Sequence, residues 1–444
     1  MKTIKAKGKE SSMKQLIVYI FLAVISVEAN AQELLKLPEA INVAMKNSLD
    51  IQLAKNSVEA NTILNNYGVA GGLPLVTANL SDNEQVSAIN QKLNTGESIS
   101  RAAAANNNLV AGLTGSILLY NGNRVVAAKK RLGLLEQQSK ELLNAQIQNI
   151  IAGVATAYYD IVRQQSYMRT IDRSIDASNQ QLDIVKARQS VGLANNADLF
   201  QAQIDLNALL QAKQSQEVVI SQSKTELLRL LTLKSDSAIN VNDTIIVDKN
   251  ISLDGVLNTL NKNAEIVAAD EQVRINEQLV NETAALRYPS IRATTGFNFT
   301  RNQSAGGQLL LNQNYGPYVG VSIGIPIYNG SIYRRQQQVA SINVRNADLN
   351  KNILVRDFSS QVVKSYQSYA ASLQQIETEQ RNYDLSNRLL ELTLQRFRLK
   401  QATIVEVKNA QQSFEESGYR LVNLNFAAKS AEIELKRLAN QLSL

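Results

Sequence analysis

The chain has 444 residues and a formal net charge of +7, with 46 basic and 39 acidic side chains and no Cys, His or Trp. These absences exclude Cys/His zinc sites, cysteine nucleophiles, Ser-His-Asp triads and disulfides, because each needs a thiol or an imidazole. No cluster of acids suggests carboxylate chemistry, so we expect no enzyme activity, cofactor or metal. The sequence also lacks the dense basic stripe of a nucleic-acid-binding protein.

The N-terminus is typical of a secretory signal peptide over residues 1–31. A lysine-rich start precedes the apolar run Leu16–Ile25, and Ala29-Asn30-Ala31 forms a cleavage pattern. The apolar run is too short to span a membrane, and small residues follow it, which favours cleavage over an anchor helix. Either Met1 or Met13 is a possible start of translation. The pattern predicts an exported protein.

The chain is duplicated with a shift of 208 residues. Tyr120-Asn121-Gly122 recurs as Tyr328-Asn329-Gly330, and the same shift pairs Arg188 with Arg396. The duplication predicts a first repeat over residues 32–233, a linker over 234–252 and a second repeat over 253–444. Each repeat is predicted to hold a helix, two strands, a long helix and a return helix.

Two strands are predicted in each repeat by a period of two in the apolar residues. In the first repeat they lie at about 75–82 and 109–120, separated by a long polar loop over 83–107. In the second repeat they lie at about 291–300 and 317–327, with a loop over 303–315. Strands of about ten residues suit a tilted membrane span, although a half-buried soluble sheet shows the same alternation. Four strands cannot close a membrane barrel, so several chains would have to share one.

A seven-residue repeat follows each pair of strands and predicts long helices at about 124–190 and 332–398. Its apolar positions in the second copy are Val355, Val362, Tyr369, Ile376, Tyr383, Leu390 and Phe397. In the first copy they are Ile147, Val154, Ile161, Met168, Ile175 and Leu182. This spacing places one apolar seam along a left-handed supercoil. Return helices are predicted at about 197–233 and 404–442.

The arrangement resembles the TolC-like outer-membrane efflux proteins over nearly the whole mature chain. The resemblance is carried by the opening segment Leu37–Ile41, the strand-leading Pro74 and Pro289, the paired Tyr-Asn-Gly motifs, and the turn segments 191–199 and 397–407. It implies a mostly α fold with a small β part, in which duplicated coiled-coil helices form an α-helical barrel. It also implies a homotrimer whose chains each give four strands to a shared 12-stranded transmembrane β-barrel. The linker at 234–252 would then be equatorial.

The resemblance further implies an outer-membrane channel of a tripartite efflux or type I secretion system, with its helical part in the periplasm. Its partners would be a periplasmic adaptor, an inner-membrane transporter and outer-membrane lipid. The alternative is a secreted or surface coiled-coil protein with a structural or adhesive role. That alternative explains the seven-residue repeat and the signal peptide, but not the strand pairs or the duplication. The sequence does not name the cargo.

The resemblance also assigns the candidate site to the two helix turns. The predicted periplasmic aperture residues are Asp198, Glu406 and Asn409, and the predicted tip and adaptor contacts are Val191, Gly192, Leu193, Arg398, Leu399 and Lys400. Three copies of each acid would form a negative ring that favours cations, although an acid in the first turn of a helix is also favoured by the helix dipole. The chain departs from the family pattern at Lys400, where a glycine is expected, and at Ala402, where a basic residue is expected. A different latch of the tip is therefore expected.

Overall fold

The computed structural model describes residues 34–306 and 309–442, so the predicted signal peptide lies outside the described residues. In the first repeat, helices α1 (Leu37–Asn47) and α2 (Leu49–Leu64) precede strands β1 (Leu75–Lys92) and β2 (Ser98–Tyr120). Helices α3 (Arg124–Ser190) and α4 (Asn196–Leu230) follow. Two helices thus stand where one was predicted. The break lies at Ser48, whose hydroxyl accepts from the Ile51 amide and caps α2.

The second repeat has the same order of elements. Helix α5 (Leu253–Thr259), a short 3-10 turn over Leu260–Lys262 and helix α6 (Ala264–Ala285) precede strands β3 (Ser290–Ser304) and β4 (Leu311–Gly324). Helices α7 (Ile332–Arg398) and α8 (Ile404–Leu438) complete it. The break before α6 lies at Asn263, whose side chain accepts from the Glu265 amide.

The long helices α3 and α7 have 67 residues each and span the predicted ranges. At 1.5 Å per residue each is about 100 Å long. The predicted seam points inward along both helices. Val154 and Ile161 in α3 are fully buried, as is Val362 in α7, and no residue of either seam is exposed. Burial of this single stripe, rather than intrinsic helix propensity, stabilises helices of such length.

The duplication extends to unusual backbone conformations. Four pairs of residues, each 208 apart, have positive φ: Gly122 and Gly330, Asn123 and Ser331, Gly192 and Lys400, and Thr232 and Asn440. Within each pair the two φ values differ by no more than 12°. The pairs mark the entries of the long helices, the turns after them and the ends of the return helices. The two repeats therefore share their chain reversals as well as their helices.

The predicted loop over 83–107 is wrong, because most of it is strand. β1 continues to Lys92, β2 begins at Ser98, and these extensions pair with each other from Asn83 and Asn108 to Lys92 and Ser98. The next strand, β3, pairs with β2 only as far as Asn106. The end of the β1–β2 hairpin therefore projects beyond the rest of the sheet. Most of its residues are exposed, although Ala104 is buried, so they need no apolar alternation and the period-two signal vanishes there.

The strand ends of the second repeat also differ from the prediction. β4 ends at Gly324 instead of 327, and the two strands reach Ser304 and Leu311, which shortens the predicted loop over 303–315. The last pair of the ladder joins Ser290 to Gly324, so Ile325–Ile327 have no partner on β3. Pro326 also lacks the N–H that a ladder needs. The apolar pattern continues past the point where hydrogen bonding stops.

The four strands form one antiparallel sheet in the order β1-β2-β3-β4. One side, the apolar face, carries Val76, Ala78, Leu80, Leu109, Ala111, Leu113, Gly115, Ile117, Ile291, Ala293, Thr295, Phe297, Phe299, Tyr315, Pro317, Val319, Val321 and Ile323. The other side, the polar face, carries Leu75, Thr77, Asn79, Ser81, Val110, Gly112, Thr114, Ser116, Leu118, Arg292, Thr294, Gly296, Asn298, Thr300, Asn314, Gly316, Tyr318, Gly320 and Ser322. Across β3, the nine residues from Ile291 to Phe299 span about 23 Å if tilted by about 40°, close to the apolar band of a membrane barrel.

The helices pack side by side as a wall. In the half next to the sheet, α3 packs against α2 and α6, and α6 packs against α7. In the half next to the turns, α3 packs against α4 and α8, and α8 packs against α7. The edges of the wall are therefore α2 and α4 on one side and α7 on the other. Nowhere in the described parts of the chain is a helix both long enough and apolar enough to cross a bilayer.

The segment over 234–252 is fastened to the middle of this wall. The Asp248 carboxylate forms an ion pair with the Lys436 ammonium at 3.2 Å, and the Asp248 amide donates to the buried Glu432 carboxylate at 2.9 Å. The Asn250 amide, followed by Lys436, lowers the pKa of Asp248. Tyr158 in α3 donates to Asp243 at 3.2 Å. The segment is thus held by polar contacts to helices of both repeats.

Candidate functional site at the two helix turns

The turns after α3 and α7 have the same backbone design. After α3, the Leu193 amide donates to the Arg188 carbonyl at 2.8 Å, and Gly192 has φ of +74°. After α7, the Gln401 amide donates to the Arg396 carbonyl at 2.8 Å, and Lys400 has φ of +62°. This six-to-one hydrogen bond with a left-handed residue is the Schellman arrangement that ends many helices. Lys400 adopts it although a side chain disfavours that conformation.

The two return helices are capped differently. The Asn195 side chain accepts from the Asp198 amide at 2.8 Å at the start of α4. At the start of α8, the Thr403 hydroxyl accepts from the Glu406 amide at 3.2 Å, and the Glu406 carboxylate accepts from the Thr403 amide at 2.6 Å. This second arrangement is a capping box. Glu406 is therefore held by its own helix, whereas Asp198 contributes only its backbone amide to its cap.

The electrostatics of the turns follow from these contacts. The Thr403 amide, the Thr403 hydroxyl and then Arg396 lower the pKa of Glu406. The guanidinium of Arg396 lies 3.9 Å from the Glu406 carboxylate and donates to the Gln401 carbonyl at 2.8 Å. Arg396 therefore makes both of these contacts within the turn that joins α7 to α8. Glu406 remains ionised at neutral pH.

Arg188, the counterpart of Arg396, makes its contacts across the two repeats. Its guanidinium lies 4.3 Å from the centre of the Phe397 ring and donates to the Phe397 carbonyl. A cation over an aromatic face and a charge-assisted hydrogen bond both favour contact between the end of α3 and the end of α7. The two equivalent arginines therefore have different roles. Arg188 joins the two repeats, whereas Arg396 contacts residues of its own turn.

A shared apolar core lies behind the turns. Its buried residues come from both repeats: Ala177, Leu182, Val185, Ala202, Leu390, Leu394, Phe397, Val407, Ala410 and Phe414. Next to it, the Lys408 ammonium in α8 lies 2.8 Å from Asp205 in α4, whose carboxylate side chain is only 13% exposed. The two turns thus form one packed unit, and we call it the tip.

The predicted site residues all lie at this tip, but they are not all in contact. Asp198 is half-buried, whereas Glu406 and Asn409 are exposed one turn apart on α8. No hydrogen bond or ion pair joins Asp198 to Glu406 in the described ranges. The predicted contact residues Val191, Gly192, Leu193, Arg398, Leu399 and Lys400 are all exposed. Asp205, Lys408 and the cross-repeat role of Arg188 were missed, because sequence spacing does not reveal which hairpin a side chain faces.

No group of three or more His, Cys, Asp or Glu residues within residues 34–306 and 309–442 is arranged to hold a metal ion. The tip instead presents the exposed apolar and charged side chains of its two turns. Such side chains can contact another protein or influence passing ions.

Comparison with known proteins defines the class. The family model described as outer membrane efflux protein matches residues 40–233 and 256–441, so the chain belongs to that family. It is 23% identical over 347 residues to the outer membrane protein TolC of Vibrio cholerae serotype O1, covering 76% of this chain and 77% of that one. This family is a transport conduit, and the chain is an outer-membrane efflux channel with its helical part in the periplasm. A secreted structural or adhesive coiled coil is not favoured.

Solved structures agree on the fold. The outer membrane protein VceC of Vibrio cholerae superposes with a TM-score of 0.74 at 18% identity, covering 91% of this chain and 96% of that one. The CmeC outer membrane channel of Campylobacter jejuni superposes with a TM-score of 0.73 at 16% identity, covering 91% and 85%. The predicted fold class, mostly helical with four antiparallel strands in each chain, is confirmed.

Proposed function

We propose that three copies of the chain form one channel, with a shared twelve-stranded barrel in the outer membrane and a helical tunnel in the periplasm. The open sheet is the observation that carries this proposal. Within the described residues, β1 pairs only with β2, and β4 pairs only with β3. An unpaired strand edge in hydrocarbon leaves backbone groups unsatisfied at a cost of several kcal/mol each. Since β1 and β4 run in opposite directions, β4 of one copy can continue into β1 of the next.

Exposed apolar side chains on the edges of the helical wall support the same assembly. On α7, Leu385, Leu389 and Leu392 lie on one face, and Leu389 is 50% exposed. On α4, Phe200 is 57% and Ile204 60% exposed. These two edges are different surfaces, so their contact is head-to-tail, and such contacts form a ring when the rotation from copy to copy closes, as a shared barrel requires. Burial between copies would remove both sets of side chains from water.

The tip would then face the periplasmic adaptor and the inner-membrane transporter of a tripartite efflux or type I secretion system. The side chains Val191 and Leu193 of the first turn and Leu399 of the second are each more than half exposed. Apolar residues exposed on turns favour a contact with another protein. The energy for transport would come from the transporter, and the channel would act as a passive conduit.

Three copies of Asp198 and Glu406 would line the periplasmic aperture of this channel, with Asn409 one turn further along α8. Rings of carboxylates favour cations and disfavour anions in a narrow pore. Asn409 adds no charge, so the ring would rest on the two acids alone. Arg396, close to Glu406, would weaken the contribution of that acid.

The assembly can be tested by the mass of the purified protein in detergent and by its migration without boiling. We expect a particle of three chains that conducts ions in planar bilayers. Leu389→Glu should lower the assembled fraction, because it places a charge at the proposed edge contact. Leu399→Glu, at a similarly exposed leucine of the tip, should leave assembly unchanged. A two-chain particle, or equal effects of both substitutions, would contradict the proposal.

A further inference from the structure

Arg292 is the single charged residue on the polar face of the sheet among the positions named above. It is the third residue of β3, at the strand end that adjoins α6. Its ladder partners are Leu118 on β2 and Ser322 on β4, and neither is charged. In a membrane barrel the apolar residues face lipid and the polar residues face the lumen. Arg292 therefore lies on the lumen side, near the junction of barrel and helices.

The contacts of Arg292 leave its charge unbalanced. The side chain is exposed, and its Nη1 donates to the Ser116 hydroxyl at 3.3 Å. No carboxylate in the described ranges lies within ion-pair distance of it. Thr294 and Gly320, the next residues on this face, are uncharged and add little bulk around the guanidinium. A water-exposed guanidinium with one neutral partner retains most of its capacity to bind an anion.

A neighbouring copy would not neutralise this charge. If β4 of one copy pairs with β1 of the next, the nearest lumen-side residues of the neighbour are Leu75, Thr77, Asn79 and Ser81. None of them is acidic. Asp82 lies on the opposite face, where Asn107 donates to its carboxylate at 2.6 Å.

We propose that three copies of Arg292 form a ring of positive charge in the barrel that binds anionic groups and favours the passage of anionic cargo. The chemical class would be organic anions bearing carboxylate, sulfate or phosphate groups. The inference rests on the proposed shared barrel and adds a selectivity site to it. Rings of arginine are an established way for a pore to select anions.

The arginine ring acts independently of the acids at the tip. Helices α3 and α7 separate the two sites by about 100 Å. Charges in water are screened over about 8 Å at physiological ionic strength. Cargo would thus meet a negative aperture first and a positive ring at the entrance of the barrel.

The test uses the purified full-length channel in planar bilayers, with inorganic tripolyphosphate added on the barrel side. We expect tripolyphosphate to block the wild type. Arg292→Gln should need an at least about tenfold higher tripolyphosphate concentration for half-block, because the anion loses its attraction to all three guanidinium groups at once. Arg292→Lys should retain the block. The matched control is Arg301→Gln, since Arg301 lies on the same strand but on the opposite face, where it donates to Gln303 at 2.8 Å.

A second variant keeps the test decisive if Arg292→Gln assembles poorly. Thr294→Glu leaves Arg292 in place and adds a carboxylate two residues along the same face, so it should also weaken the block. Equal block in wild type and Arg292→Gln, or loss of block in Arg301→Gln alone, would overturn the inference. Absence of any conductance from the assembled protein would instead refute the proposed channel.

Discussion

Gly192 and Lys400 occupy equivalent turns of the two repeats and share a left-handed backbone, with φ of +74° and +62°. Glycine adopts this conformation without cost, whereas a residue with a Cβ is disfavoured by roughly 1–2 kcal/mol. Lys400 is held in this conformation because the Schellman hydrogen bonds and the packing of Phe397 in the shared core fix the backbone on both sides of it. Non-glycine residues in such conformations are often retained for a function of the side chain.

Lys400→Gly should therefore stabilise the second turn by about 1 kcal/mol. Amide hydrogen exchange at Gln401, whose N–H closes this turn, should slow about fivefold, because the local opening free energy rises by that amount. The control is Leu399→Gly, since Leu399 has an ordinary φ of −87° and gains nothing from glycine. Equal exchange in the two variants would contradict the strain at Lys400.

Arg188→Gln should loosen the tip, because it removes the cation over the Phe397 ring and the hydrogen bond to the Phe397 carbonyl. A loss of about 1–2 kcal/mol would raise the fraction of time in which the two turns are apart by about five- to thirtyfold. The open probability in single-channel recordings measures this fraction. Arg396→Gln is the matched control: its contacts stay within one turn, so we expect a much smaller change. Equal effects at both arginines would show that the cross-repeat contact does not hold the two turns together.

Replacing both Asp198 and Glu406 by Ala should weaken block by multivalent cations added on the periplasmic side, since the proposed ring loses its charge. Asp254→Ala provides the control, because Asp254 is also an acid in the first turn of a helix but lies at the start of α5, far from the tip. Unchanged block in the double variant would remove the acid ring from the mechanism.

The pH dependence of Glu406 has a defined sign. Because the Thr403 contacts lower its pKa, the carboxylate stays charged to a lower pH than an ordinary glutamate. Its capping contribution is complete above the unfolded glutamate pKa and is lost as the pH falls through the lowered folded value. In an Asp198→Ala background, Thr403→Ala should shift the loss of cation block to higher pH. An unchanged pH profile would mean that the hydroxyl does not set the charge of Glu406.

Gly296→Ala should reduce the assembled fraction of the channel. A methyl group at this position would lie 2.3 Å from the Leu113 carbonyl oxygen and 2.8 Å from the Tyr318 ring, so strands would have to separate. Gly316→Ala is the control on the next strand and the same face, where nothing lies within 4 Å. Semi-native gels of both variants measure the difference. Normal assembly of Gly296→Ala would show that the ladder can shift to accept the methyl group.

The local pattern was sufficient to predict the long helices, because one stripe of apolar side chains is buried along their whole length. It was insufficient for the strand ends. The projecting end of the β1–β2 hairpin, from Val86 and Ala105 outward, is mostly exposed and has no alternation. Ile325–Ile327 keep the alternation without a partner on β3. Strand boundaries depend on where a neighbour ends, and the sequence of one strand does not contain that information.

The sequence alone determined the duplication and the positions of the long helices and their turns, since these follow from self-similarity and from local periodicity. The export signal is a prediction from the N-terminal pattern, and the fold class was predicted from the resemblance to a known family. The tertiary structure alone decided that Arg188 reaches Phe397 while Arg396 stays in its own turn, that Asp205 meets Lys408, and that Arg292 is unbalanced on the polar face. Equivalent residues of the two repeats meet different neighbours, because near the turns α3 packs against both α4 and α8, whereas α7 packs against α8 and lies at the edge of the wall.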